Sequence, residues 1–269
     1  MDMNEIGFIG CGNMGGAIAR AVCKTADPSR VYLADADTAK AAALADELGC
    51  NTAGSDAVFS GCEMIFLGVK PQMMPAVLQQ AAPTLQQRTD RFVLVTMAAG
   101  LSIHRIRQLA GGDYPTIRIM PNTPVFLGEG MIQYCGDGVT DEELRDFRSV
   151  MRAAGRLDEL SEHLIDASSA VSGCGPAYAY QFIEALADGG VACGLPRAKA
   201  MEYAAQMLLG AAKMVLETGK HPGELKDAVC SPGGSTIQGV RVLEQHGMRG
   251  AVMDAVIAAC EKNKELGKN

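Results

Sequence analysis

A glycine-rich turn close to the start of the chain constrains its fold more than any other feature. Gly10, Cys11, Gly12, Asn13, Met14 and Gly15 form a G-x-G-x-x-G that follows the apolar run Ile6–Ile9 and opens a segment of helical spacing, Met14–Cys23. A second apolar run, Val31–Leu33, then leads to Asp35. Strand, glycine turn, helix, strand and acid in that order form the context in which the pattern predicts a dinucleotide site. Gly10 permits the tight turn, Gly12 lets the backbone approach a pyrophosphate, and Gly15 lets the helix pack on the strand. The helix start offers free N–H groups and a positive dipole end to phosphates.

The same alternation continues. Met64–Val69, Phe92–Met97, Thr116–Met120 and Met131–Cys135 read as further strands, with helical spacing in Ala39–Leu48, Met73–Ala81 and Ile103–Leu109. Such βαβ units predict a doubly wound, mostly parallel sheet. Thr140 and Glu143 form a capping box, so a helix is expected from Asp141 to about Ala154. Beyond Leu160 the strand signals stop. Segments 163–193, 197–217 and 235–265 are rich in Ala, Leu, Val and Met with a period near 3.6, separated by Gly194-Leu-Pro196 and by a His221-Pro-Gly223 turn. The expected architecture is an α/β Rossmann domain over residues 1–160 followed by an all-helical domain over 161–269. So much Ala with so little aromatic bulk suggests that the second domain packs against another chain.

Composition narrows the functions. A net charge of −7 and the absence of Trp argue against a nucleic-acid partner, because an acidic surface repels phosphate backbones. The nine cysteines form no C-x-x-C pair and have no His at ligand spacing, so reduced core thiols are expected rather than disulfides or a metal site. Residues 1–5 are acidic and the following apolar run is broken by glycines, so neither a signal peptide nor a membrane span is expected. A cytoplasmic location follows.

Several residues point toward the crevice beyond the strand ends, where open α/β sheets bind ligands. Asp35 and Asp37 flank the tip of the second strand. A carboxylate there accepts from the ribose 2′-OH and repels a 2′-phosphate. Lys40 is the nearest base, since no Arg occurs between Arg30 and Arg88. Asp35 thus tilts the expectation mildly to NADH over NADPH, while Asp37 also fits a helix N-cap. Val69, Lys70 and Pro71 follow another strand, with Lys70 placed to face phosphates or substrate, or simply solvent. Asn122, in Met120-Pro-Asn-Thr-Pro124, could bond the nicotinamide carboxamide, although a structural double-proline turn fits the same spacing. In the helical region, Lys226-Asp-Ala-Val-Cys-Ser-Pro-Gly-Gly-Ser-Thr-Ile237 places two glycines, Ser235 and Thr236 before a helix. Its free N–H groups suit a carboxylate, and its hydroxyls equally suit N-caps.

The chain resembles the pyrroline-5-carboxylate reductases essentially end to end. The resemblance rests on Phe8-Ile-Gly-Cys-Gly-Asn-Met-Gly15, Val69-Lys-Pro71, Met120-Pro-Asn-Thr-Pro124, Val171-Ser-Gly173, Gly175-Pro-Ala-Tyr178, Phe182-Ile-Glu-Ala185, Val215-Leu-Glu-Thr-Gly219, His221-Pro-Gly223 and, above all, Val229-Cys-Ser-Pro-Gly-Gly-Ser-Thr-Ile237. It implies reduction of 1-pyrroline-5-carboxylate to L-proline, the last step of proline biosynthesis, with NADPH or NADH. It implies a homodimer or larger homo-oligomer built on the helical domain, with each active site between one chain's Rossmann domain and the partner's loop 231–236. It also implies that the Gly234 and Ser235 amides, helped by Ser231, hold the substrate carboxylate, and that Thr236 is the catalytic hydroxyl at the ring nitrogen. Asp35 departs from NADPH-preferring members of the family, which carry a neutral or basic residue there. A β-hydroxyacid dehydrogenase, which would need a catalytic Lys on the helix opening its second domain, is disfavoured because no Lys or Arg lies from Leu157 to Pro196. A nucleotide-binding paralogue without catalysis would be marked by binding without turnover.

Overall fold

The computed structural model of the chain describes residues 5–266, and the side chains through residue 265. The described residues divide by compactness into two units, 5–173 with 259–266, and 174–258.

The first unit is built on one eight-stranded sheet, ordered β3-β2-β1-β4-β5-β6-β7-β8. The strands are β1 Ile6–Ile9, β2 Val31–Ala34, β3 Asn51–Thr52, β4 Met64–Leu67, β5 Val93–Thr96, β6 Thr116–Met120, β7 Gly130–Asp137 and β8 Gly155–Glu159. All neighbours are parallel except β6 and β7. Its helices are α1 Asn13–Val22, α2 Thr38–Leu48, α3 Ser55–Gly61, α4 Met74–Gln87, α5 Ile103–Ala110, α6 Asp141–Met151 and α7 Glu162–Ser172. Successive strand residues point to opposite faces, so alternate side chains feed two cores. Phe8, Met64, Phe66 and Val95 pack with α1, α2 and α6 on one face. Ile9, Ile65, Leu67 and Leu94 pack with α3, α4 and α5 on the other. A sheet covered on both sides needs apolar residues throughout its central strands, which is why those strands read as continuous apolar runs. Phe8 and Phe66, paired across β1 and β4, stack with centroids 4.7 Å apart.

The six expected strands are present, and two more complete the sheet. β3 is two residues long, and β8 carries Arg156, Asp158 and Glu159. Both are edge strands with open faces, where polar residues replace the apolar run that marks a buried strand. The short helix α3 was also unforeseen. The Thr140 capping box forms in both directions, at 3.2 and 2.7 Å, and α6 ends at Met151 rather than near 154.

Compactness divides the chain at 173/174, later than the change of sequence pattern at 160/161. The cause is α7, which packs on the sheet: Ile165 is buried with Ile103, Met120 and Cys135. Arg118 of β6, itself buried, pairs with Asp166 at 2.8 Å and Glu162 at 3.3 Å. The helical segment expected over 163–193 is therefore two helices, α7 and α8.

The second unit contains α8 Gly175–Ala192, α9 Arg197–Thr218, α10 Pro222–Ala228, α11 Ser235–Gln245 and most of α12 Met248–Leu266. His221 begins a helix rather than a bare turn, its Nδ1 accepting from the Gly223 amide at 3.0 Å. The segment expected over 235–265 breaks at Gly247, whose φ is +70°. The Tyr178 hydroxyl donates to the Ala255 carbonyl at 3.3 Å, linking α8 and α12.

Candidate active site

The glycine turn sits where the sheet topology places it, beyond the C-terminal end of β1 and between β2 and β4. Gly10 has φ +96°, a conformation open to glycine and costly for other residues. Its amide donates to the Ala34 carbonyl at 2.7 Å. A Cβ on Gly15 would collide with the Gly10 carbonyl oxygen, so this glycine lets α1 lie against the turn. A Cβ on Gly68 would come within 2.5 Å of the same oxygen. Gly68 is thus a third glycine required by the turn, and its position directly before Val69-Lys-Pro71 was the available signal. Gly12 differs: a Cβ there would meet only Lys40 Nζ, at 3.9 Å. The space above Gly12 is open, and Gly12 caps α1 without a side-chain bond. The first amides of α1, Asn13 and Met14 among them, therefore face an open anion site.

Asp35 is half-buried and braces this turn. One carboxylate oxygen accepts from the Cys11 amide at 2.6 Å and the other from the Asp37 amide at 3.0 Å. Asp37 is the N-cap of α2, accepting from the Lys40 amide at 3.2 Å. Burial, aided by the charge of Asp35, pushes the Cys11 thiol up to about 12. Cys11 therefore stays neutral near pH 7 and contributes its backbone to the site.

A cleft of about 740 Å³ runs along this edge of the first unit. Its walls include Gly10, Gly12, Asn13, Met14, Asp35 and Lys40, then Val69, Lys70 and Pro71. Lys70 is exposed and starts the 3-10 turn Pro71–Met73. Ser55 and Asp56 also line the cleft, from the helix that sequence periodicity did not reveal. At the far end stand Met97, Ala99, Pro121, Thr123 and Phe126. Asn122, read either as a nicotinamide contact or as part of a structural double-proline turn, has its side chain engaged within the protein. Its amide nitrogen donates to the Ser172 carbonyl and its oxygen accepts from the Met131 amide, each at 2.9 Å. It is 8% exposed and does not line the cleft. Asn122 ties the Pro121–Thr123 wall to β7 and α7, the structural reading of the double-proline turn.

Within the second unit, Ser231, Gly234, Ser235 and Thr236 form one compact turn. The Gly234 amide donates to the Ser231 carbonyl at 3.0 Å, and Gly233 has φ +70°. A Cβ on Gly234 would strike Ser231 Oγ. Gly234 is the N-cap of α11, with no side-chain cap bond, and Ser235 and Thr236 are the first two helical residues. Their hydroxyls are thus not used as N-caps. Ser231, Ser235 and Thr236 are all exposed, so this turn presents free helix-start amides beside three hydroxyls, a set suited to a carboxylate.

Comparison with known proteins covers both units. Residues 162–266 match the family described as pyrroline-5-carboxylate reductase dimerisation, and residues 5–100 match the family described as NADP oxidoreductase coenzyme F420-dependent. The chain is 42% identical over 269 residues to the pyrroline-5-carboxylate reductase of Escherichia coli strain K12, covering 98% of this chain and 99% of that one. It is 40% identical over 265 residues to the enzyme of that name from Glycine max, covering 97% and 95%. Among solved structures, a pyrroline-5-carboxylate reductase from Coxiella burnetii superposes with TM-score 0.91 at 30% identity, covering 100% of each chain. The Plasmodium falciparum pyrroline carboxylate reductase with NADP bound gives 0.87 at 31% identity, covering 99% of each.

Proposed function

This chain belongs to the pyrroline-5-carboxylate reductase family, and we infer that it reduces 1-pyrroline-5-carboxylate to L-proline by hydride transfer from NAD(P)H. The observation that carries this reading is the alignment of nearly the whole chain with nearly the whole of the Escherichia coli enzyme, so that cleft and turn are both included.

The residues present fit a dinucleotide: a glycine turn with open space above Gly12, a helix start without an acidic residue, and an acid beyond β2. The bound nicotinamide supplies the hydride. The amides of Gly12, Asn13 and Met14 would hold the diphosphate, with the Cys11 amide engaged by Asp35 and Gly15 packing the helix on the turn, and Lys40 and Lys70 would offset its charge. Asp35 accepts from the adenosine ribose, which favours NADH over NADPH. Val69 and Pro71 shape the wall beside it.

In the second unit, the Ser235 amide, with the Ser231 hydroxyl, holds the substrate carboxylate, while Gly234, its own amide bonded to the Ser231 carbonyl, shapes the turn around it. The Thr236 hydroxyl meets the ring nitrogen, orients it and holds its proton. A cyclic imine is basic enough to be partly protonated in water, so no strong acid is required, and none stands among Ser231, Gly234, Ser235 and Thr236. Positioning the ring supplies much of the acceleration, since orientation is worth several kcal/mol in favourable cases.

The protein is a homo-oligomer, in keeping with its dimerisation domain. We read the minimal unit as a homodimer in which one chain's Rossmann unit works with the partner's turn 231–236. Among the described residues no helix is long and apolar enough to cross a membrane, and we place the enzyme in the cytoplasm. A steady-state assay with 1-pyrroline-5-carboxylate, following NADH and NADPH separately, tests the reading. Turnover with a higher kcat/KM for NADH is expected, and nucleotide binding without turnover of the imine would overturn it.

A further inference from the structure

Resting on the proposed preference for NADH, we propose that Asp56 is a second specificity-determining residue, which acts with Asp35 to disfavour a dinucleotide carrying a 2′-phosphate. The topology brings both acids to one edge of the sheet. β2 and β3 are parallel neighbours, Tyr32 lying opposite Asn51 and Leu33 opposite Thr52. Their C-terminal ends therefore face the same way. Asp35 directly follows β2, and Asp56 stands in the first turn of α3, just beyond β3. The Ala53 amide donates to the Leu33 carbonyl at 3.0 Å, which holds the short link to α3 beside the end of β2. Both residues line the cleft, Asp35 half-buried and Asp56 exposed.

The cations of the cleft are engaged elsewhere. Among the described residues, the only other charged ones lining it are Lys40 and Lys70. Lys40 Nζ lies 3.9 Å from where a Gly12 Cβ would be, over the glycine turn that receives the diphosphate. Lys70 follows β4, on the far side of β1 from β2 and β3. No Arg among the described residues lines the cleft. The ribose end, beyond β2, thus presents two carboxylates, with Lys40, reaching over the glycine turn, as its nearest cation. A 2′-phosphate carries about −1.5 to −2 charges at neutral pH, as phosphate monoesters do, and is repelled by both. A 2′-hydroxyl is neutral and donates to either.

The test is calorimetric titration of NADP+ and NAD+ into the purified oligomer, wild type against Asp56→Asn and Asp56→Glu. A carboxylate facing a doubly charged group across an exposed cleft is worth several-fold in affinity. Asp56→Asn is therefore expected to tighten NADP+ by roughly three- to tenfold and leave NAD+ within about twofold. The gain should shrink in about 0.5 M salt, where the Debye length is short, and Asp56→Glu should behave as wild type. An NADP+ affinity unchanged by Asp56→Asn, or an equal gain for both nucleotides, overturns the proposal. The preference itself is judged separately: wild-type protein binding NADP+ more tightly than NAD+ would sink the NADH reading, whereas Asp56 stands or falls on the change caused by its substitution.

Discussion

The two units of this chain bury their apolar residues in very different ways. The first unit seals Phe8, Phe59, Phe66 and Phe147 completely, in two cores on either face of its sheet. Among the described residues of the second unit, only Ala187, Ala200 and Ala204 are buried. Its larger apolar side chains stand open. On α9, Tyr203, Met207 and Met214 are 55%, 48% and 51% exposed, at spacings of four and seven that place them on one stripe. Apolar surface on this scale marks an interface, and a unit whose own core is three methyl groups lacks the burial that stabilises a domain. The first unit is complete by itself, whereas the second is half of something. The dinucleotide cleft follows from the first condition, because a rigid sheet edge is what positions a glycine turn. The exposed turn at 231–236 follows from the second.

The largest expected effect comes from attacking the open stripe. Met207→Glu combined with Met214→Glu should give a monomer by sedimentation, with the imine reductase activity at least a hundredfold lower. Two carboxylates in an apolar interface would each carry a large desolvation penalty. A monomer with full activity would show that one chain suffices and would break the contrast between the units. An unchanged dimer would remove this stripe of α9 from the interface.

Next comes a pair of glycines within the first unit. In Gly15→Ala the new Cβ meets the Gly10 carbonyl, backbone that has no room to yield. The expected cost is about 3 kcal/mol or more, with a Tm fall that thermal melts read directly and with loss of nucleotide binding. Gly12→Ala meets nothing closer than Lys40 Nζ at 3.9 Å, and its φ of −64° suits alanine. Its Tm should stay within a few degrees of wild type, while nucleotide affinity falls roughly tenfold as the amides are screened from the diphosphate. Equal losses of stability in both would mean that the turn is a packing device alone.

Thr236→Ala tests the second unit's chemistry. The residue is exposed and uncapped, so its loss should leave folding, dimerisation and nucleotide affinity alone. Turnover should fall roughly tenfold or more, as for a positioned group that holds a proton. Turnover near the wild-type value would remove Thr236 from the mechanism.

How much of this was legible in the sequence depends on burial. The central strands and the glycine turn are dictated by local pattern, and residues such as Phe66 and Gly15 could be placed from spacing alone. β3, β8 and α3 were not legible, because an edge strand of two residues and a charged one carry no apolar signature. With them went Asp56, whose approach to the cleft depends on β3. Asn122 was ambiguous for a related reason. A buried amide and a ligating amide look alike in sequence, and only the bonds to Ser172 and Met131 separate them. The turn at 231–236 was legible as an anion site or a cap, and Gly234 at the N-cap decides that its hydroxyls are not caps. The homo-oligomer was visible only as a surplus of Ala with little aromatic bulk.

The smallest effect is expected from Asp35→Ser, and it separates two tasks of one carboxylate. Asp35 accepts from the Cys11 and Asp37 amides, which fixes the turn, and it lines the cleft, where we read it at the ribose end. Serine is too short to keep both amide bonds. Losing a charged acceptor for such groups costs about 1–3 kcal/mol, so a Tm fall of a few degrees is expected, confined to the first unit and without change in oligomeric state. The ratio of kcat/KM for NADPH to that for NADH should rise several-fold, because the repulsion of a 2′-phosphate is relieved. A Tm fall with an unchanged ratio would make Asp35 a brace for the glycine turn that does not read the ribose. A changed ratio with an unchanged Tm would mean the reverse, that the bonds to Cys11 and Asp37 contribute little to the first unit's stability.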